Sequence, residues 1–246
     1  MWQIRKTDFK YIRGKRWASV RSTPTYDFWS KILDNHNYIK VTILSLKKFI
    51  VPDLTINNMQ LEVVLILESP HTKEILHGHP LAGQAGQRMA FIFKHHGLLS
   101  TFNPFSPLGC QVKKLKYPEL SIINACVIPM HNNAYTGVCM SSIDARLSKK
   151  LTKVKTKLQR KIIHNYKPVG VVEKFIVSNF HNRINSIINS CNGKVICFIP
   201  CGNFASNVFN ACNISGHTVI NGCPHPSSRN WKNSLTINSI ANCILP

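Results

Sequence analysis

An apolar run that ends abruptly in a polar elbow constrains this chain more than any other feature of its sequence. Residues 62–67 (Glu-Val-Val-Leu-Ile-Leu) are followed at once by Glu68-Ser69-Pro70-His71. A short, unbroken apolar run of this kind predicts a strand buried on both faces of a parallel sheet. In open α/β sheets, ligands bind just beyond the carboxyl ends of the strands. The elbow is therefore expected at a functional edge.

Further apolar runs alternate with amphipathic segments along the rest of the chain. Strands are predicted at residues 121–128, 194–199 and 217–220, and helices at residues 84–99, 146–161 and 204–211. Strands that alternate with helices are typical of a mostly parallel sheet covered on both faces. The sequence thus predicts a three-layer α/β/α sandwich around a central four-stranded sheet.

The length of 246 residues suits one domain with an added terminal segment. Residues 1–60 are basic and aromatic, and we expect them to form an extension packed on a core domain at residues 61–246. An additional DNA-contacting layer is the alternative. The sequence offers neither an apolar run of membrane-spanning length nor a secretory signal. We therefore expect a cytoplasmic monomer without a membrane partner.

The charge balance is strongly basic, with 31 Lys and Arg against 10 Asp and Glu, a formal net charge of +21. Such a surface attracts polyanions, and DNA, double- or single-stranded, is the expected partner. Non-specific adhesion and an anionic membrane are the alternatives. Within the helix predicted at residues 146–161, Lys149 and Lys153 lie among many cations and almost no acids. This face is either phosphate-binding or simply solvated.

The few acidic residues and the cysteines narrow the chemistry further. The acids are scattered, whereas a two-metal nuclease needs several carboxylates to hold its ions. The nine cysteines are an odd number and favour a reduced chain. Cys197, Cys201, Cys223 and His225 can be drawn as a metal site, but their spacing fits no strong zinc template. We expect neither a metal nor a cofactor.

Five segments, in order, resemble motifs of the uracil-DNA glycosylase superfamily. The elbow with Leu67 resembles its first motif, of the type G-E-A-P-G, and His225-Pro226-Ser227-Ser228 resembles its second, H-P-S-x. Residues 78–87 (Gly-His-Pro-Leu-Ala-Gly-Gln-Ala-Gly-Gln) resemble the G-R-P-F-V-G-x-A-G-Q loop of the thermostable bacterial branch. Residues 123–125 and 194–202 resemble two of its strands. The resemblance spans residues 60–235 and implies an enzyme that flips out a pyrimidine nucleotide and hydrolyses its N-glycosidic bond, leaving an abasic site.

The resemblance implies three catalytic residues, Glu68, His71 and His225. Glycosidic cleavage separates charge, so its catalysis is mainly electrostatic. His225 is expected to stabilise the anionic base at its O2 atom, although a structural histidine is the alternative. Glu68 is expected either to orient water and stabilise an oxocarbenium-like sugar, as carboxylates do in glycoside hydrolysis, or to organise the loop. His71 would assist where Ser69 replaces a water-activating group.

Base and DNA contacts follow from the same resemblance. Asn124 can offer a donor and an acceptor to one pyrimidine edge, or it can make a structural hydrogen bond. Leu81 stands in place of a base-stacking phenylalanine. Ser69 and Ser227 are expected to hold the phosphates that flank the flipped nucleotide, and Arg229 or Trp231 is expected to fill the vacated stack. The implied base-binding residues are Asn124, Leu81 and Ser69, and the implied DNA-binding residues are Ser227, Ser228, Arg229, Lys149 and Lys153.

Departures from the family pattern bear on the substrate. His71 stands where one branch has a tyrosine that screens the pyrimidine C5 atom, and no cysteine precedes Cys110, so we expect no iron–sulfur cluster. These departures favour a modified cytosine, such as glucosylated 5-hydroxymethylcytosine, in phage DNA, and an antiviral role. The alternatives are a uracil-excising repair enzyme and a catalytically weak DNA-binding protein. The basic charge argues against a nucleoside hydrolase.

Overall fold

A parallel sheet of four strands forms the centre of the protein. The computed structural model describes residues 49–55, 60–97, 101–115, 117–135, 142–233 and 238–240. Within them the strands are β1 (Val63–Leu67), β2 (Leu120–Asn124), β3 (Cys197–Pro200) and β4 (Thr218–Val219). Their order is β2-β1-β3-β4, and every pair is parallel. The predicted sheet is confirmed.

Six helices whose two ends both lie in the described part of the chain surround the sheet: α1 (Thr72–His77), α2 (Gln84–His95), α3 (Leu108–Leu115), α4 (Ser142–Gln159), α5 (Val171–Ser190) and α6 (Asn203–Asn210). Short 3-10 turns cover Asn132–Tyr135 and Arg229–Asn233. Of these helices, α1, α3 and α5 were not predicted. In α5 the buried face includes the polar residues Asn179 and Arg183, which obscure its apolar period.

The second predicted strand was too long. It was expected over residues 121–128, but β2 ends at Asn124 and the chain then bends. Residues 125–128 remain almost completely buried, which explains why the apolar pattern continues past the strand. The Ala125 and Cys126 N–H groups donate to the carbonyls of Leu67 and Glu68, so this bend lies against the elbow.

Alternation of side chains along β1 divides the core into two apolar clusters. Val64 and Ile66 face a cluster containing residues of α4, α5 and α6. Val63, Leu65 and Leu67 face a second cluster containing residues of α2 and α3. Each fully buried aliphatic side chain contributes about 1.5–3 kcal/mol. Helices on both faces of the sheet confirm the three-layer sandwich.

Residues 49–55 lie along β2, the strand at one edge of the sheet. The Val51 N–H donates to the Val127 carbonyl at 3.0 Å, and Leu54 forms an antiparallel bridge with Ile122. Asp53 accepts two hydrogen bonds of 2.7 Å from Arg183 of α5. The remainder of the extension predicted at residues 1–60 lies outside the described residues, apart from Gln60. None of the described helices has the length and apolar character that crossing a membrane requires.

Candidate active site

A cavity of about 420 Å³ opens at the carboxyl end of the sheet. Glu68, directly after β1, and His225, after β4, both line it, as does Ser228. Gln159 at the end of α4 and Gly202 at the start of α6 line it as well. The structure thus brings together the two polar motifs that lie far apart in the sequence, at the edge where parallel strands place ligands.

Glu68 is buried and held by three polar side chains. Its Oε1 atom lies 2.8 Å from Lys155 Nζ and 3.2 Å from His131 Nε2, and its Oε2 atom accepts a hydrogen bond from Gln159. Lys155 also contacts the His131 ring. We call these four residues, Glu68, His131, Lys155 and Gln159, the charged half of the site. Of these four residues, only Glu68 was predicted from the sequence.

His71 lies beside the charged half rather than in the lining of the cavity. Its ring centroid is 4.4 Å from that of His131. Desolvation and the nearby Lys155 cation lower the pKa of His71, with a smaller contribution from His225, whereas Glu68 acts in the opposite direction. The neutral imidazole is therefore favoured at neutral pH, and it offers one donor and one acceptor next to Glu68.

His225 is fixed with one ring nitrogen occupied. Its Nδ1 atom lies 2.8 Å from Ser227 Oγ and accepts a hydrogen bond from the Ser227 N–H. Because Nδ1 is an acceptor, the proton of a neutral ring resides on Nε2. Burial lowers the pKa of His225, Lys155 lowers it further, and Glu68 opposes them. A neutral His225 that offers an Nε2–H donor therefore faces the cavity.

The loop carrying His225 is held by the end of β3. Cys201 and Cys223 form a parallel bridge, and the Gly202 N–H donates to the Cys223 carbonyl. Gly202 has a φ of +88°, and a Cβ atom there would lie 3.3 Å from that of His225. Glycine is therefore favoured at position 202 by both its backbone conformation and this close approach.

Trp231 anchors the same loop from the side of the apolar core. Its indole Nε1–H donates to the His225 carbonyl at 2.9 Å, and its side chain is fully buried in the cluster under α2 and α3. The suggestion that Trp231 fills a vacated base stack was wrong, because a ring at the core cannot reach the duplex. Arg229 is exposed and is left as the one wedge candidate of that pair.

The side chains of two polar residues near the strand ends have no hydrogen-bond partner in the described part of the protein. Asn124 is fully buried, and both polar atoms of its side chain lack a hydrogen bond; the same is true of the buried Ser69 hydroxyl. Asn124 pairs in register with Leu67, so strand alternation directs its side chain toward the α2 face. We call Asn124 and Ser69 the neutral half of the site. Neither lines the cavity.

The loop that contains Leu81 is packed tightly between α2 and α3. Any Cβ atom at Gly86 would lie 1.9 Å from the Leu81 carbonyl oxygen, and one at Gly109 would lie 1.9 Å from that of Pro80. Leu81 itself has a φ of +50°, and its side chain is buried in the apolar cluster under α2 and α3. Its position is therefore that of a core residue.

Glu74 ties the same loop to the elbow. Its buried carboxylate accepts hydrogen bonds from the backbone N–H groups of His71, at 2.9 Å, and Leu81. Burial raises the pKa of Glu74 to about 7, although these two hydrogen bonds act in the opposite direction. No role was predicted for Glu74 from the sequence.

The predicted DNA-binding residues lie at the surface. Lys149 and Lys153 are exposed on α4, and Ser227 is exposed beside His225. Ser228 lines the cavity and donates its backbone N–H to the His225 carbonyl at 2.8 Å.

The cysteines that can be described are free thiols. Six of them are buried, which agrees with their interpretation as small apolar residues. In the described part of the chain, no three His, Cys, Asp or Glu side chains are grouped so as to hold a metal ion.

Fold and site together define an α/β sandwich whose parallel strands direct a carboxylate and a neutral histidine into one cavity. The model of the Uracil DNA glycosylase superfamily matches residues 55–243, and the chain belongs to this superfamily. Its members are DNA glycosylases, hydrolases whose substrate is DNA. A comparison with curated proteins finds no match.

Proposed function

We propose that the protein is a DNA glycosylase that excises a modified cytosine, such as glucosylated 5-hydroxymethylcytosine, from phage DNA as an antiviral defence. The observation that carries this proposal is the cavity of about 420 Å³ between Glu68 and His225. This volume lies in the range of drug-sized ligands. A pyrimidine base is smaller than such ligands, so room remains for a substituent. His71, in place of a screening tyrosine, supports the same reading.

In the proposed reaction, the nucleotide leaves the stack and enters the cavity. The C1′–N1 bond breaks, the electron pair departs with the base, and water adds to the sugar. The Nε2–H of His225 stabilises the negative charge that develops on the base oxygen. A neutral donor suits this role, because it needs no counter-charge when the cavity is empty.

Glu68 is proposed to stabilise positive charge on the sugar and to orient water. Lys155, His131 and Gln159 already occupy much of its hydrogen-bonding capacity. These contacts hold the carboxylate in one orientation. His71, which is neutral and adjacent, is the proposed acceptor for the proton that water loses.

Base recognition is proposed for the neutral half. The amide of Asn124 can pair with one edge of a pyrimidine once the side chains that cover it shift, and Ser69 can hold the nucleotide. Leu81 would then support the base from the core side. Ser227, Ser228, Arg229, Lys149 and Lys153 are the proposed phosphate and duplex contacts.

Two alternatives are tested by the same experiment. Excision of uracil for repair is favoured by the amide of Asn124, which offers a donor and an acceptor. DNA binding without chemistry is favoured by the core position of Leu81, which leaves the base without a stacking ring.

The test uses single- and double-stranded oligonucleotides that contain uracil, 5-hydroxymethylcytosine or its glucosylated form, scored for alkali-labile abasic sites. We expect cleavage at the glucosylated base. His225→Ala should lower the rate by about 10²–10⁴-fold, with DNA binding nearly unchanged. His181→Ala, on α5 and away from the cavity lining, is the matched control and should retain activity. Cleavage at uracil alone would support the repair alternative, and no cleavage on any substrate would support the binding alternative.

A further inference from the structure

We propose that an exposed face of α2 and the loop before α3 binds unpaired nucleotides of a DNA strand by stacking on their bases. This aromatic face consists of Arg88, Phe91, His95 and Phe105. The proposal rests on the proposed function, because it describes how the DNA around the target base is held. It names the substrate class as DNA with an unpaired segment beside the target.

Two phenylalanine rings of this face are open to solvent. Phe91 is 47% exposed and Phe105 is 77% exposed. The Phe91 ring is parallel to that of His95, with 3° between the planes and 6.2 Å between the centroids. The Gln87 side chain donates to the Phe105 carbonyl at 3.0 Å, one helical turn from Phe91. The exposed rings thus lie on one side of α2.

The stretch of sequence that carries these rings contains positive charge only. No Asp or Glu occurs between residues 75 and 118, a stretch that contains Arg88, Lys94, Lys113, Lys114 and Lys116 together with four histidines. Exposed aromatic rings among unbalanced cations match a nucleic-acid strand, whose phosphates bind the cations while its bases stack. Charge complementarity therefore favours a polyanion over an apolar protein surface.

The aromatic face is connected to the active-site loop. The Arg88 guanidinium donates to the Ser227 carbonyl. Ser227 in turn contacts His225 Nδ1 at 2.8 Å. A strand whose target nucleotide enters the cavity beside His225 can therefore continue across α2 without leaving the protein surface.

The rings require unpaired bases. In a duplex, the faces of the bases are covered by their neighbours, so a ring on a protein surface reaches only bases that have left the stack. The face therefore discriminates between single-stranded and paired DNA, which a phosphate-binding surface does not.

The test compares binding of a labelled oligodeoxythymidylate with binding of a hairpin duplex, at equal salt, for wild type, Phe91→Ala and Phe105→Ala. Each substitution should weaken single-strand binding by about tenfold and change duplex binding little. Phe91→Tyr keeps the ring and should retain binding. Val195→Ala, at a 59% exposed apolar residue before β3, is the matched control and should bind as wild type does.

Equal weakening for both DNA forms, or none for either, would overturn the aromatic face as a single-strand site. Because both rings are exposed, the variants are not expected to lose the fold, and thermal unfolding checks this. Base release is scored separately. Ring-dependent binding without base release would refute the proposed activity and leave this inference standing, whereas base release without ring dependence would do the reverse.

Discussion

Two neighbouring strand ends in this protein carry buried polar side chains that differ in whether they have hydrogen-bond partners. Glu68, after β1, is surrounded by the three polar partners of the charged half. Asn124, at the end of β2, is equally buried and has no side-chain partner in the described region. An unmet buried polar group costs about 1–3 kcal/mol. The polar groups of the charged half are therefore paired, whereas those of the neutral half are unpaired among the described residues, as their proposed role in base binding requires.

The largest expected effect is in the charged half. Glu68→Gln leaves the buried Lys155 cation without its carboxylate, and Lys155→Met leaves the carboxylate without its cation. Each should lower the free energy of unfolding by about 3–5 kcal/mol. The double variant should recover most of this stability, while base release stays low because the carboxylate is absent. Denaturant unfolding of all four proteins measures the coupling, and additive losses would show that the pair is not energetically linked.

In the neutral half, a substitution is expected to change the stability in the opposite direction. Asn124→Leu removes the unmet donor and acceptor at similar volume, so stability should rise by about 1 kcal/mol while base release falls by about 10²-fold. Asn207 is the matched control, since it is also fully buried but bonds to Ile163, Leu158 and Lys161. Asn207→Leu should destabilise. A destabilised Asn124→Leu protein would mean that its amide already has a structural role.

The smallest expected effect is a displacement of the pH profile of base release. The neutral form of His225 is the proposed donor, and its pKa is lowered from the ordinary 6.5. Activity should therefore persist as the pH falls past 6.5 and decline only when the pH reaches the lowered pKa. Lys155→Met removes a cation that lowers this pKa, so the decline should begin at higher pH, by a fraction of a unit. The pKa of His71 is lowered as well. A decline starting above 6.5 in the wild type would contradict the assignment.

The location of the site could be predicted from the sequence because polar residues follow the apolar runs that form the strands. Glu68 directly follows an apolar run, His225 lies in the loop after the strand predicted at residues 217–220, and parallel strands bring such positions to one edge. Asn124 could be identified for the same reason, since an amide within an apolar run must have a purpose or a partner. The sequence could not show that the Asn124 amide has no hydrogen-bond partner among the described residues.

Lys155 was missed because it lies among the many lysines of α4. Its position held a signal, since it falls four residues after Leu151 and three before Leu158, on the buried side of the helix. His131 could not be identified in this way, because it lies in a loop with no periodic sequence pattern. Trp231 was misplaced for a related reason, as an aromatic residue next to a functional motif does not reveal which way its ring points.

The contact between Arg183 and Asp53 also bears on where the independently folding unit begins. The same guanidinium donates to the carbonyls of Asn124 and Ala125 at 2.7 and 3.1 Å. A truncation at residue 55, where the family match starts, would leave the buried Arg183 cation without its carboxylate directly behind the end of β2. Limited proteolysis should therefore yield a stable fragment that begins before Asp53, and the autonomous folding boundary would lie upstream of the boundary that sequence similarity defines.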